Sequence, residues 1–128
     1  MTRWLSTEWF DETRAMVSDQ LVCPGLSAKI QFEMSGGPDG NAAYHSELED
    51  GRLISIGGGP VAGADVTLSM SWDDAVAMHQ GALDPSVAFM QGRMKVAGSM
   101  EIVLALLAVT ATAAFGDLRG QVAELTDF

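Results

Sequence analysis

Apolar and polar residues alternate over residues 28–34, where Ile30, Phe32 and Met34 point one way and Lys29, Gln31 and Glu33 the other. A strand with one dry face and one wet face has this signature. The alternation returns over residues 65–71, with Val66, Leu68 and Met70 set against Asp65, Thr67 and Ser69. Residues 42–49 repeat it more weakly, Tyr44 and Leu48 opposing His45, Glu47 and Glu49. Asp50-Gly51 is a hairpin signal that sends this segment back through residues 52–56. A fifth strand is predicted over residues 91–97, where Met94 and Val96 alternate with Arg93 and Lys95.

Helical spacing governs the rest. Over residues 5–22, Leu5, Trp9, Thr13, Met16, Val17, Gln20 and Leu21 recur near the helical period, while Glu8, Asp11, Glu12 and Asp19 lie elsewhere. Ser6 suits the cap and Cys23-Pro24-Gly25 the stop. Ser71 followed by Asp74 resembles a capping box for a helix over residues 73–80, ended by Gly81. Asp84 caps a short helix with Pro85 at its first position. Ser99 caps a longer helix, apolar nearly all round, which Gly116 is expected to terminate before a last short helix at residues 117–125. A helix apolar on every side needs apolar cover on every side. This one must be inserted between other elements or line something greasy.

At 128 residues, 48% of them hydrophobic, the chain is expected to be one domain, residues 1–128, with a substantial core. The net charge of −10 and the lack of any basic cluster among two Lys and five Arg disfavour nucleic acid, which needs clustered cations at phosphates. Anionic membrane surfaces would repel such a chain. The run at residues 102–115 is short for a membrane span and is interrupted by Thr110 and Thr112, so no stable membrane insertion is expected. The first residues lack a secretory pattern, and a lone Cys23 allows no internal disulfide. A cytoplasmic protein is expected.

Three features are specific in combination. A strand runs into Ser71-Trp72-Asp73-Asp74; Gly81, Leu83, Asp84 and Pro85 follow; then come Ala88-Phe89-Met90-Gln91-Gly92-Arg93-Met94-Lys95-Val96 and Gly98. Together they resemble the sterol carrier protein-2 family of lipid-binding domains, over roughly residues 28–107. The resemblance implies an α+β fold, with a twisted, mostly antiparallel five-stranded sheet, helices packed on one face and a hydrophobic tunnel between them. It also implies a noncatalytic carrier of fatty acids, fatty acyl-CoA or sterols. Two features depart from the pattern: Glu101 at the mouth of the apolar helix, and the strong negative charge.

Under that resemblance the candidate tunnel wall is Phe32, Met34, Val66, Leu68, Met70, Met78, Phe89, Met90, Met94, Met100, Val103, Leu106 and Leu107. Their residue types equally suit a filled core, and eight Met suit either role. Catalytic and metal sets do not emerge, and no cofactor is implied. His45 and His79 lack ligand-type spacing, and Asp73, Asp74 and His79 do not match a known metal pattern. His79 is expected to face solvent near a helix end. Cys23 has no identifiable base. The glycines of residues 57–63 lack the Lys of a phosphate loop. The rival reading is a small enzyme of the ketosteroid-isomerase-like kind, which would need a pocket carboxylate with a tuned pKa. Oligomeric state stays open.

Overall fold

The computed structural model describes residues 2–17, 25–38 and 40–128. The expected last turn of the first helix, with Gln20 and Leu21, and its stop at Cys23-Pro24 lie outside these residues. The elements in chain order are β1 (Thr2–Arg3), α1 (Thr7–Val17), β2 (Ala28–Gly37), β3 (Gly40–Glu49), β4 (Arg52–Gly58), β5 (Val66–Ser71), α2 (Trp72–His79), α3 (Pro85–Met90), β6 (Lys95–Gly98), α4 (Met100–Thr110), α5 (Ala113–Leu125) and β7 (Thr126–Asp127).

Five strands form one sheet in the order β4-β3-β2-β5-β6. Only the central β2–β5 pair is parallel. The architecture is α+β and mostly antiparallel, as the resemblance implies. Asp50 and Gly51 both take positive φ, +50° and +81°, the conformation that the β3–β4 hairpin requires. Register places the apolar positions in rows across the strands. Tyr44 faces Phe32, Phe32 faces Leu68, and Leu68 faces Val96. Period-two alternation therefore builds one continuous dry surface. Ile30, Met34, Val66, Leu68 and Met70 are buried on it.

The caps form as local chemistry dictates. Ser6 Oγ accepts from the Trp9 amide at 3.1 Å, and Ser71 Oγ from the Asp74 amide at 3.1 Å. The Asp74 carboxylate does not complete the box; it accepts from Arg93 Nη2 at 2.7 Å and ties α2 to the segment before β6. Asp84 Oδ1 accepts from the Ser86 amide at 2.7 Å, and Ser99 Oγ from the Ile102 amide at 3.4 Å.

Three expectations need correction. The strand expected over residues 91–97 is only Lys95–Gly98. Gln91 caps the end of α3, Gly92 takes a φ of +74°, and the Arg93 and Met94 amides donate back to the Ala88 carbonyl. Gly116 does not end the apolar helix; it lies inside α5. The break falls at Ala111-Thr112, because Thr112 Oγ1 accepts from the Phe115 amide at 3.2 Å and starts a new helix. Nor is α4 covered all round: Val103 is buried, but Leu104 is 56% exposed and Met100 47%. No single helix is long and apolar enough to cross a membrane among the described residues; α4 and the helix after it bend by 80°.

The chain ends meet. β1 and β7 pair in parallel, the Trp4 amide donates to the Asp127 carbonyl at 2.9 Å, and Trp9 Nε1 donates to Thr126 Oγ1 at 2.7 Å. Thr126 passes that bond on to the Val122 carbonyl at 2.6 Å. This clasp holds α1 and α5 together over the sheet.

Candidate functional site

Between the dry sheet face and the helices lies a cavity of about 300 Å³, lined by residues of α1, β2–β5, α2, α4 and α5. That volume sits at the small end of the range for small-molecule pockets. A second depression of about 260 Å³, near Arg3, Trp4 and Trp72, has a more polar lining.

Sheet positions enter the wall because alternation turns every second side chain inward. Phe32, Met34, Leu68 and Met70 line it, with Met78 from α2, Met94, and Leu106 and Leu107 from α4. The other candidates lie elsewhere. Val66 and Val103 are buried in ordinary packing. Phe89 is half-buried beside the core. Met90 is 84% exposed and Met100 stands at the open start of α4. In α3 the inward position belongs to Ala88, which is fully buried, so Met90 two residues on is turned outward.

Sequence reasoning missed the contribution of α1 and α5. Trp9, Thr13 and Val17 recur every fourth residue and present one face of α1 to the cavity. Phe115, Leu118, Arg119 and Val122 do the same from α5. The α1 face was visible as helical periodicity; its partner was hidden by the expectation that one helix runs to Gly116.

His79 is the main surprise. It lines the cavity instead of facing solvent. Its ring packs edge-on against Trp4 at 5.0 Å and Trp9 at 6.3 Å, with Phe128 also at 6.3 Å. Its Nε2 lies 3.4 Å from the Tyr44 hydroxyl, a long hydrogen bond. Burial, and then the Arg119 guanidinium, push the His79 pKa down to about 4, so the imidazole is neutral at pH 7. Burial likewise raises the Tyr44 phenol, whose ring stacks on Phe32 at 4.4 Å. The arrangement is a greasy chamber with a small polar corner of Tyr44, His79 and Arg119. No Asp or Glu lines it among the described residues. His45, on the wet side of β3, is engaged with the Gly59 carbonyl at 2.9 Å.

Residues 13–110 match the profile of the SCP-2 sterol transfer family. The chain belongs to that family. Among curated proteins it is 38% identical over 99 residues to hydroxysteroid dehydrogenase-like protein 2 of Bos taurus, covering 75% of this chain but only 23% of that protein. Among solved structures it resembles the crystal structure of sterol carrier protein 2, with TM-score 0.74, 16% identity and coverage of 98% and 100% of the two chains. It also resembles the solution structure of palmitated SCP2L2 from Aedes aegypti, with TM-score 0.65, 20% identity and coverage of 84% and 96%. At these identities the structural likenesses establish the fold.

Proposed function

We propose that this chain is a noncatalytic carrier, in the cytoplasm, of one apolar ligand: a fatty acid, a fatty acyl-CoA or a sterol. The whole chain, residues 1–128, acts as a single binding domain. The observation that carries the reading is the half-open apolar cavity of about 300 Å³ beneath the helices. Each buried methylene contributes about 0.8 kcal/mol, so a dozen contribute roughly 10 kcal/mol before association costs. Micromolar binding corresponds to about 8 kcal/mol net of those costs, so burial of the tail supplies a large share of what is required. The palmitated structural neighbour supports an acyl chain as one occupant. The dehydrogenase-like relatives are matched over less than a quarter of their length, so the activity in their name is not transferred.

Eight of the candidate wall residues, Phe32, Met34, Leu68, Met70, Met78, Met94, Leu106 and Leu107, are proposed to contact the ligand. The isomerase-like rival would need a carboxylate base at this cavity, and the described lining supplies none. Titration calorimetry with palmitate, palmitoyl-CoA and cholesterol tests the proposal, with native mass spectrometry reporting stoichiometry. Saturable one-to-one binding of at least one class is expected. Failure of all three to bind would remove the carrier reading.

A further inference from the structure

A cavity that only had to hold hydrocarbon would have no use for a cation. Arg119 lines this one, half-buried, and makes no ion pair among the described residues. Its guanidinium lies over Gly81, so close that a Cβ there would sit 2.9 Å from Nη2. Gly81 also takes a φ of +80°, so the position is doubly reserved for a residue without a side chain. That approach brings the guanidinium to the C-terminal end of α2, two residues from His79. The helix end offers it the equivalent of about half a negative charge, which leaves the cation only partly compensated.

Thr13 makes a second, independent observation. It lines the same cavity, is 6% exposed, and its Oγ1 has no hydrogen-bond partner. A buried hydroxyl left unpaired is costly, and native proteins seldom leave one without a use. Tyr44 and His79 add a hydroxyl and a neutral imidazole to the same lining.

We propose that Arg119, with Tyr44, His79 and the Thr13 hydroxyl, forms a head-group subsite that selects single-chain amphiphiles ending in a carboxylate over neutral sterols and alcohols. This rests on the carrier reading and narrows it. The planar guanidinium fork matches a carboxylate with two parallel hydrogen bonds. The rest of the lining is almost wholly apolar and takes the tail. On a chain of net charge −10, an anionic ligand is repelled in general, so its head must be met by a specific cation. Exclusion of acidic side chains from the described lining serves the same end.

The test compares palmitate with hexadecanol, which share a tail and differ in the head, by calorimetry at neutral pH. The wild-type chain is expected to hold palmitate about tenfold or more tighter, the scale of one charge-assisted hydrogen bond to a half-buried cation. Arg119→Gln is expected to erase that preference, weakening palmitate while moving hexadecanol by less than about twofold. Arg119→Lys retains the charge and is expected to keep part of the preference. Equal wild-type affinity for the two ligands, or parallel losses of both in Arg119→Gln, overturns the subsite and leaves the carrier reading standing. Binding of neither by the wild type, with cholesterol and palmitoyl-CoA also failing, ends both. The wild-type comparison decides even where a variant fails to fold.

Discussion

Helices α1 and α4 are each eleven residues long, and the more apolar of the two is the less buried. In α1 the acids Glu8, Asp11 and Glu12 face outward while Trp9, Phe10, Thr13 and Val17 are buried. In α4 every residue between Glu101 and Thr110 is apolar, yet only Val103 is buried. Apolar content does not place a residue inside; neighbours do. Helix α1 packs over β4, with the Phe10 ring against Gly58, and is tied to α5 through Trp9 and Thr126. Helix α4 follows the short edge strand β6, lends Leu106 and Leu107 to the cavity and leaves Leu104 outside. One helix holds the fold; the other roofs the chamber.

The comparison is broken most directly at Trp9. Truncation to Ala removes a large, almost fully buried ring and the donor to Thr126. Such core deletions cost about 3–5 kcal/mol, and the Thr126 hydroxyl loses its donor while keeping its own bond to the Val122 carbonyl. A urea titration of Trp9→Ala is expected to show the midpoint collapse with little change in slope. A loss below about 1 kcal/mol would mean that α1 is not the anchor described above.

The parts of this division that were legible in the sequence are those set by local rules. Ile30, Phe32 and Met34 alternate because the sheet is half-buried, and register then fixes their partners. Ser71, Asp84 and Ser99 announce helices because their side chains bond amides two or three residues away. What stayed hidden depends on distant segments. The β1–β7 pair has two residues per strand and joins opposite ends of the chain. His79 is covered by Trp4, Trp9 and Phe128, which no local pattern brings to it. At the cavity, apolar identity nominated Met90 and Met100 as readily as Met94, since composition says nothing about which way a side chain points.

The covered position of His79 makes a second and somewhat smaller effect measurable as pH dependence. Its pKa falls from 6.5 to about 4 on folding, so below 6.5 the unfolded chain binds the proton that the native state refuses. Stability from this group is complete above pH 6.5 and is lost as pH falls towards 4, by about 3 kcal/mol at the limit. Thermal melts across that window are expected to fall for the wild type and to fall less steeply for His79→Gln. Parallel curves would place His79 in contact with water after all.

The finest test lies within α4, between adjacent residues with opposite surroundings. Val103 is 2% exposed and Leu104 56%, although their side chains are nearly interchangeable in hydrophobicity. Val103→Ala removes about two methylenes from packed surroundings and is expected to cost about 2 kcal/mol, including the small void left behind. Leu104→Gln replaces an exposed residue with one of good helix propensity, so its effect is expected to stay within about 0.5 kcal/mol. Paired urea titrations of the two variants measure the difference directly. Similar losses from both would show that the outer face of α4 is covered in solution, and the contrast between an anchoring helix and a roofing one would then fail at its weaker member.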